Sequence, residues 1–543
     1  MKHLLLLLAA VTAFSCSSEG KSKPENVVVS SVLINGVPVE NNGSAIGVDP
    51  QAVTVHVEFS GKIDFGKFEH STFQFDNGVG TGYSAARGSD RNSIVLTLDA
   101  PLKPFTQYAF SIAKGENLGV RIALPFGCRF MTALDGSAKF PEIPDVELMD
   151  LVQRRTFSYF WEYAHPVSGL ARERLGSGNT VTSGGSGFGI MTIPVAVERG
   201  FISRAEGAAR METVLKFLQT KTDRFHGAFP HWFDGESGKV IPFSPDENGA
   251  DLVETAFLME GLLAMRQYFD GTDPVETDIR TRITTLWEEV EWDWFLHGTD
   301  RLYWHWSPDK GWIMNMPVSG WNEALIVYVL AASSPTHPVS RQVYDACWAR
   351  GGQMKNGKSF YGIPLPLGPD YGGPLFFAHY SFLGLDPRNL KDAYASYWEQ
   401  NVAHARINHA YCKANPKGYY GYGDNCWGLT ASDFPKGYTA SSPTNDNGTI
   451  APTAALSSFP YTPEESLAAL RYFYYTLGDR LFMQYGFYDA FNLSRHWFAS
   501  SCIAIDQGPI VIMMENYRTG LLWNLFMKDP DVQSGLAKLG FSW

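Results

Sequence analysis

The sequence predicts a β-sandwich at the N-terminus, followed by an all-α domain that is built as a toroid of paired helices. The distribution of tryptophan separates the two parts: all 15 tryptophans lie between Trp161 and Trp543, and none lies in the first 160 residues. Apolar residues alternate with polar ones in the early segments and recur at helical spacing in the later ones. A chain of 543 residues is long enough for several domains and a large core.

Short strands are predicted within residues 26–138. Residues 53–59 alternate apolar and polar side chains, which is the period of a half-buried strand, and residues 94–98 and 108–112 behave similarly. Turn residues separate these segments at the spacing that a β-sandwich has. The stretch 108–132 resembles the bacterial Ig-like modules found in front of surface enzymes. We therefore expect an Ig-like β-sandwich that acts as a spacer or an interaction module.

The pattern of the N-terminal residues predicts that the protein is exported. A positively charged start precedes an apolar run at residues 4–11, which is too short for a permanent membrane span. Residues 13–16 resemble a bacterial lipobox, with Cys16 as the lipidated first residue of the mature protein. Residues 1–16 are then a lipoprotein signal segment and residues 17–25 a tether. We expect an outer-membrane lipoprotein on the periplasmic or cell-surface face; a plain secreted protein is the alternative.

Charge and cysteine content exclude several classes of protein. A formal net charge of −12 argues against nucleic acid and against a polyanionic substrate, but not against a neutral glycan. Besides Cys16 there are five cysteines, and this odd number excludes a complete disulfide framework, although Cys412 and Cys426 are close enough in sequence to pair. No C-x-x-C or H-E-x-x-H pattern is present, so we expect no zinc site.

Helices follow a short hinge at residues 141–144. Leu252, Ala256 and Met259 recur at helical spacing. Three capping pairs mark helix starts: Ser203 with Glu206, Asp273 with Glu276, and Thr462 with Glu465. No alternation of strands and helices indicates a parallel sheet, so residues 145–543 fit a toroid of paired helices.

The loops between the predicted helices are long and rich in glycine. They span residues 166–188, 224–249, 300–320, 350–374 and 412–461. The last is far longer than a connector needs, which is typical of function or of disorder. It is rich in tyrosine, tryptophan and aspartate, so we interpret it as functional.

The larger domain combines many aromatic side chains with scattered carboxylates, which suits a carbohydrate. Aromatic rings stack on the C–H faces of pyranose rings, and carboxylates bind hydroxyl groups or transfer protons. Large helical cores also use tryptophan, which is the structural alternative. The candidate sugar platforms are Trp232, Trp321 and Trp427.

Glu254 is the first candidate for acid–base chemistry. It lies in the run 251–259, which is apolar nearly all round when it is drawn as a helix, as an inner helix of a toroid would be. Desolvation there favours the protonated carboxyl group and suits a general acid. The alternative is a helix N-terminal glutamate that the helix dipole stabilises, or a partner for an arginine.

Asp446 is the second candidate. It lies in the loop segment 443–452, ahead of a capped helix, where a carboxylate can face a cleft. The alternative is turn formation, because the Asp-Asn-Gly sequence makes good turns without any catalytic role.

Weaker candidates lie in other loops and near helix starts, and each has a structural alternative. They are Glu173 and Arg174 in one loop, Glu323 beside Trp321, Asp433 in the long loop, Asp506 just before a late apolar helix, and Asn516 on that helix. His231 and His379 are isolated histidines beside aromatic residues, for which a core or capping role is the alternative.

Several separated motifs together resemble one known family. They are residues 156–162 with 168–174, 251–256, 321–323, 427–433, 448–454, and 505–509 with 515–518. In this order they are similar to the bacterial glycoamylase-like family, which includes the endo-β-1,2-glucanases, over residues 145–543. The resemblance implies an (α/α)6 toroid, a cleft on its loop side, and hydrolysis of β-1,2-linked glucose polymers.

The resemblance also implies roles for individual residues. Glu254 and Asp446 match acidic residues at the heart of the family's site, and Glu173 lies nearby, at a position that is often Asp in the family. We expect Glu254 to act as general acid, directly or through a substrate hydroxyl, and Asp446 to position or activate water, with inversion favoured by the resemblance. No metal or organic cofactor is implied. We expect a monomer that binds a neutral glucan or oligosaccharide and no nucleic acid.

Two other classes of function stay open. A non-catalytic surface glycan-binding protein would keep the aromatic residues without needing Glu254 and Asp446 together. A polysaccharide lyase on the same scaffold would use a tyrosine or histidine base and cationic groups for a uronate, against which the acidic balance of the chain weighs.

Overall fold

The computed structural model describes residues 23–543. These residues form two compact units, of which the first ends at Asp135 and the second begins at Gly136. The predicted lipidation site, Cys16, and its signal segment lie outside the described residues, so export and lipid attachment stay predictions. Within residues 23–543, no helix combines the length and the apolar composition that crossing a membrane needs.

The first unit is a β-sandwich. Its strands are β1 (Asn26–Val27), β2 (Val29–Ile34), β3 (Val37–Pro38), β4 (Ser44–Val48), β5 (Thr54–Phe59), β6 (Phe73–Phe75), β7 (Tyr83–Arg87), β8 (Ser93–Leu98), β9 (Gln107–Ile112), β10 (Gly115–Asn117), β11 (Val120–Ile122) and β12 (Phe126–Thr132). One main sheet has the order β3-β2-β5-β8-β7 and the other the order β4-β12-β9-β6, and β1, β11 and β10 form a small third sheet.

The alternation in the sequence explains how the two main sheets pack. Val55, Val57 and Phe59 of β5 are buried, as the period of two predicts, while the residues between them are partly exposed. Phe110 and Phe130 of the other sheet belong to the same hydrophobic cluster. The predicted strands are therefore confirmed as β5, β8 and β9, whereas the Ig-like assignment stays a prediction.

The second unit is mainly helical. Its helices are α1 (Asp145–Trp161), α2 (Ser183–Glu198), α3 (Arg204–Thr220), α4 (Leu252–Tyr268), α5 (Pro274–Glu288), α6 (Leu325–Ser333), α7 (Arg341–Val343), α8 (Tyr397–Ala414), α9 (Pro452–Leu456), α10 (Pro463–Arg471), α11 (Gly478–Leu481), α12 (Ala504–Arg518), α13 (Leu521–Met527) and α14 (Pro530–Leu539). Short helical turns at Leu375–Ala378 and Tyr380–Phe382 add to them.

The helices of this unit form an inner and an outer ring. The inner ring consists of α2, α4, α6, the helical turns within residues 375–382, α9 and α12, which are almost completely buried. Each lies against the next, and α12 closes the ring on α2. Helices α1, α3, α5, α8 and α10 have mixed polar and apolar faces and lie outside. The predicted toroid of paired helices is confirmed.

The all-α description needs a correction, because short strands pair within the loops. They are Thr180–Thr182 with Trp232–Asp234 and Val240–Ile241, Ala250–Asp251 with His305–Trp306, and Ala431–Phe434 with Gly437–Ala440. Backbone hydrogen bonds between these strands satisfy groups that burial would otherwise leave unpaired. The last hairpin and α9 also give regular structure to parts of the long loop 412–461.

Glycines allow the inner helices α2 and α4 to approach closely. A Cβ on Gly187 would lie 2.2 Å from the carbonyl oxygen of Phe257, and a Cβ on Gly261 would lie 2.3 Å from the carbonyl oxygen of Gly187. Both would be contacts with backbone atoms, which no side-chain rotation can relieve. Close packing therefore explains why α2 is rich in glycine, although glycine disfavours an isolated helix.

The local predictions have different outcomes. Ser203 forms the predicted capping box, and Asp273 caps α5 through two backbone N–H groups. Thr462 is wrong as a cap, because its hydroxyl donates to a carbonyl four residues earlier instead. The five cysteines in the described part of the chain are buried and free, so Cys412 and Cys426 do not pair.

A buried ion pair links the inner helices α2 and α12. Arg199 donates two hydrogen bonds of 2.8 Å to the carboxylate of Glu515, whose side chain is 2% exposed. Arg199→Met leaves that carboxylate without its cation, and we expect the free energy of unfolding to fall by about 3–5 kcal/mol. Thermal unfolding of wild type and variant, under identical conditions, measures the loss.

Arg301→Met is the matched control for this prediction. Arg301 is 59% exposed, and its ion pair with Asp300 measures 3.9 Å. We expect the free energy of unfolding to stay within about 0.5 kcal/mol of wild type. Equal unfolding midpoints for the two variants would contradict a stabilising role for the buried pair.

Candidate active site

The second unit contains a cavity of about 410 Å³ that collects many of the predicted site residues. Six of them line it together: Glu173, Arg174, His231, Trp232, Glu254 and Glu323. They come from the loop before α2, the loop before α4, α4 itself and the segment before α6. The toroid therefore brings side chains that are far apart in sequence to one cleft.

Glu254 lies in the first turn of α4, and its carboxylate faces the start of α2. The N–H of Gly184 donates to Oε2 at 2.8 Å, and the hydroxyl of Thr182 donates at 3.3 Å. A Cβ on Gly184 would lie 2.6 Å from Oε2, so a side chain at this position would displace the Glu254 carboxylate. Burial raises the pKa of Glu254, His231 lowers it and Asp251 raises it, and the net direction is upward. This is the direction that a general acid needs.

His231 lies between two carboxylates. Its Nε2 is 4.0 Å from Oε1 of Glu254, and its Nδ1 is 2.9 Å from Oδ2 of Asp251. Burial disfavours the imidazolium, but the carboxylates outweigh burial and raise the pKa of His231 to about 9. Oδ1 of Asp251 accepts hydrogen bonds from two backbone N–H groups at the start of α4, which fixes this carboxylate. The carboxylates on either side of His231 therefore favour its imidazolium form beside Glu254.

Arg174 connects two of the predicted carboxylates. Its Nε donates to Glu173 at 3.0 Å and its Nη1 donates to Asp433 at 3.0 Å. Asp433 lines a neighbouring groove of about 460 Å³, which shares Arg174 and Tyr438 with the cavity. The arginine therefore holds both carboxylates at the boundary between the cavity and the groove.

Glu323 lies just before α6 and lines the same cavity. Burial raises its pKa to about 7; its own backbone N–H opposes this effect, and the carboxylates of Glu254 and Asp251 add to it. A carboxyl group near its titration midpoint at neutral pH can donate or accept a hydrogen bond from a sugar hydroxyl. Its position in the cavity fits the binding role that the sequence predicts.

Aromatic rings line much of the cavity, but most of them are not the predicted ones. Trp232 lies in the lining as predicted. Sequence reasoning missed Phe243, Trp304, Phe376, Tyr380 and Tyr438. Phe243 and Tyr438 are 44% and 49% exposed, so their rings are accessible to a sugar. The concentration of tryptophan in residues 300–320 was the signal for Trp304.

Two of the predicted sugar platforms are wrong. Trp321 is 5% exposed, and its ring packs on Phe382 and Tyr397. Trp427 has no exposed surface, and its indole N–H donates to the carbonyl of Glu465 at 3.2 Å. Both rings fill the core between helices, where no sugar can reach them.

His379 and Asn516 are also structural. His379 is buried, its Nε2 lies 3.0 Å from the hydroxyl of Ser458, and burial lowers its pKa to about 3. The amide of Asn516 donates to the carbonyl of Leu383 and accepts from the N–H of Leu522, so it links α12 to neighbouring segments. Neither residue lines the cavity, and the predicted binding roles are wrong.

Asp506 lies against the cavity wall rather than in the cavity. It is 1% exposed and accepts a hydrogen bond from the hydroxyl of Tyr380, which lines the cavity. The neighbouring Asp489 accepts one from the N–H of Asp433. Burial raises the pKa of Asp506 far above its usual range and that of Asp489 to about 7. The carboxyl groups of Asp506 and Asp489 therefore orient Tyr380 and Asp433, respectively, through these hydrogen bonds.

Asp446 does not line this cavity. It lies in the loop before α9, where its carboxylate accepts hydrogen bonds from Tyr411 at 3.0 Å, from Tyr422 at 2.8 Å, and from the N–H two residues later at 3.0 Å. The last of these hydrogen bonds is typical of a turn, which is the structural alternative that the sequence indicates for Asp446. The adjacent Asn445 donates to the carbonyl of Ala440, which lines the cavity. Asp446 is therefore firmly oriented beside the hairpin that borders the cleft.

The ring of paired helices forms an α/α-toroid domain, and the carboxylates and aromatic rings in its cavity are of the kinds that bind and process carbohydrates. A family model described as "Putative glucoamylase" matches residues 315–530. A solved structure from Bacteroides uniformis with the same description is 58% identical, has a TM-score of 0.73, and covers 74% of this chain and 99% of that one. The chain belongs to this glycoamylase family.

Two further relatives have named activities. An endo-β-1,2-glucanase from Chitinophaga pinensis, solved with sophorotriose and glucose, is 51% identical with a TM-score of 0.73, and covers 74% of this chain and 99% of that one. An exo-β-1,2-glucooligosaccharide sophorohydrolase (non-reducing end) from Parabacteroides distasonis is 48% identical over 426 residues, or 74% of this chain. This chain spans 59% of the length of that curated relative.

Proposed function

We propose that this protein hydrolyses β-1,2-linked glucooligosaccharides. The observation that carries the proposal is Glu254, a buried carboxyl group with a raised pKa in the wall of an aromatic-lined cavity. The relatives from Chitinophaga pinensis and Parabacteroides distasonis are both named for action on β-1,2-linked glucose. The chemistry of the site and the substrate of the relatives therefore support the same reaction.

Glu254 is the general acid in this proposal. In its protonated form it gives its proton to the oxygen of the leaving sugar, directly or through a substrate hydroxyl, while the bond to the anomeric carbon breaks. Asp446 positions or activates the water that attacks the anomeric carbon. Because Asp446 lies outside the cavity, an intervening water or a bound sugar has to link it to the reacting carbon. Glu173 and Glu323 bind sugar hydroxyls inside the cavity.

A neutral oligosaccharide suits the cleft in shape and chemistry. The cavity and the neighbouring groove share Arg174 and Tyr438, so a chain of sugars can extend from one space into the other. Trp232 lies along the cavity and Trp497 along the groove. Rings of this kind stack on pyranose faces, while the carboxylates accept hydrogen bonds from hydroxyl groups.

Product analysis tests the substrate class. We expect the purified protein to release glucose or short β-1,2-glucooligosaccharides from linear β-1,2-glucan and from short β-1,2-linked oligosaccharides, and nothing from α-linked glucans. Chromatography of the products over time, with heat-denatured protein as the blank, gives the measurement. The distribution of early products also distinguishes internal cleavage from release at a chain end.

Three other outcomes would contradict the proposal in different ways. Hydrolysis of a different neutral glucan would support glycoside hydrolysis but contradict the proposed β-1,2 linkage of the substrate. Binding of β-1,2-glucan without any product would favour a surface glycan-binding protein. Ultraviolet absorbance from a new unsaturated sugar would favour a lyase.

A further inference from the structure

A row of alternating carboxylates and imidazoles leads from Glu254 away from the cavity. His231 lies 4.0 Å from Glu254 through Nε2 and 2.9 Å from Asp251 through Nδ1. Oδ2 of Asp251 lies 3.7 Å from Nδ1 of His305, and Nε2 of His305 lies 3.2 Å from Oε1 of Glu247. Each imidazole in the row therefore has a carboxylate on either side.

The fold holds this row in place. Asp251 and His305 are register partners in the two-residue strand pair Ala250–Asp251 and His305–Trp306. The other oxygen of Asp251 caps α4, so one carboxylate orients both the helix that carries Glu254 and the imidazole beside it. Asp251 is 1% exposed and His305 is 8% exposed, whereas His231 reaches the cavity.

The charged surroundings of Glu254 are mainly acidic. On the side of α2 it meets the hydroxyl of Thr182 and the N–H of Gly184. The other titratable or charged groups around it and around His231 are Asp251, Glu247, His305 and Glu323, with Glu173 and its partner Arg174 elsewhere in the cavity. Among the described residues, His231 is the basic side chain that lies within 4.0 Å of Glu254.

We propose that His231 is a positioning residue of the hydrolysis, an imidazolium that Asp251 and His305 hold against Glu254 to stabilise the carboxylate left after proton transfer. The inference rests on the proposed function. It gives His231 an electrostatic role that acts through Glu254, and this role differs from the sugar-binding role predicted from the sequence. It also gives a role to His305, which does not line the cavity.

The proton and electron-pair transfers of the hydrolysis show at which stage the imidazolium acts. When the glycosidic bond breaks, its electron pair stays on the leaving oxygen, which takes the proton of Glu254. Water adds its oxygen to the anomeric carbon, and one of its protons passes to the base carboxylate. Afterwards the base releases this proton to solvent and Glu254 regains one from solvent, so the protons balance. Between these events Glu254 is a buried anion, and an adjacent cation lowers the free energy of that state.

Removal of the imidazolium should move the alkaline limb of the pH profile upward and lower kcat at the same time. In His231→Gln the positive charge is absent at every pH, so the pKa of Glu254 rises and the alkaline limb of kcat/KM moves to higher pH by roughly one unit. At the same time kcat falls by about tenfold or more, because Glu254 becomes a weaker acid. A residue that only shaped the cavity would lower the rate without moving the limb.

Two further variants distinguish an effect of the carboxylate–imidazole row from the general effect of replacing a histidine. His305→Gln interrupts the row beyond the cavity, and we expect a shift of the same sign and smaller size. His226→Gln is the matched control, because His226 also pairs with a carboxylate, that of Glu291 at 2.9 Å, but does not line the cavity. We expect this control to leave the alkaline limb and kcat unchanged.

The charge of His231 can also be followed without any substrate. In protein with isotope-labelled histidine, the magnetic resonance signal that disappears in His231→Gln reports the titration of His231. The pKa of about 9 predicts a doubly protonated ring at neutral pH in the wild type. In Glu254→Gln we expect this pKa to fall, because one of the two flanking carboxylates becomes neutral.

The outcomes distinguish the inference from the proposed function. A neutral His231 at neutral pH, or an alkaline limb that stays in place in a folded and active His231→Gln protein, would overturn the inference. A wild-type protein that shows the His231 titration and its dependence on Glu254, but hydrolyses no glucan, would overturn the proposed function while supporting the electrostatic pairing.

Discussion

Glu254→Gln is expected to lower kcat on a β-1,2-linked oligosaccharide by between roughly 10²- and 10⁴-fold, with a much smaller change in KM. Glutamine has nearly the same size, and its amide oxygen can still accept the hydrogen bonds that Gly184 and Thr182 donate to Glu254. The cavity therefore keeps its shape and loses only the transferable proton. Initial rates over a range of concentrations of one defined oligosaccharide measure both kinetic parameters.

Glu212→Gln is the matched control for this experiment. Glu212 is exposed on α3, so the same chemical change there leaves the cavity intact, and we expect wild-type kinetics. If Glu254→Gln kept more than about a tenth of the wild-type kcat, proton donation by Glu254 would be excluded as a main source of the rate.

The pH dependence of the wild-type activity should also show that Glu254 acts as a general acid. Burial raises the pKa of Glu254, and a general acid works only in its protonated form. Activity is therefore present below that pKa and is lost as the pH rises through it, so we expect the alkaline limb above the ordinary range of a glutamate. His231, Asp251 and Glu323 titrate in the same cluster, and the limb reports a macroscopic pKa of the group.

The two-part fold could be predicted because each part has a strong local period. Residues 53–59 alternate as a strand does, and Leu252, Ala256 and Met259 mark a helix that proves to be buried on all sides. The strand pair of Ala250–Asp251 with His305–Trp306 could not be predicted. Each strand has only two residues, and the partners lie far apart in sequence, so no local pattern marks them.

The site could be predicted where one residue contrasts with its sequence neighbours. Glu254 is a carboxylate in an apolar run, and this contrast is visible without a structure. Trp232 and Trp427 show no such difference, because only tertiary packing decides that Trp232 lines the cavity and that Trp427 is fully buried. His305 was missed for the same reason, since its position opposite Asp251 depends on the strand pair.

Asp446→Asn should show how the attacking water is activated. We expect kcat to fall by roughly 10²-fold or more while the fold is kept. Asparagine preserves the shape of the side chain, and its oxygen can still accept a hydrogen bond from Tyr411 or Tyr422, but it cannot take up a proton from water. Initial rates, with thermal unfolding as the check on folding, measure the effect.

Glu173→Gln on the same substrate provides the decisive comparison. Glu173 lines the cavity, but Arg174 donates two hydrogen bonds to its carboxylate, so proton uptake there would break an ion pair. Asp446 is held by hydroxyl and backbone N–H groups, so proton uptake there would separate no ion pair of its side chain. We therefore expect Asp446 to be the base even though it lies outside the cavity. A larger loss of kcat in Glu173→Gln than in Asp446→Asn would reverse the two roles and place water activation inside the cavity.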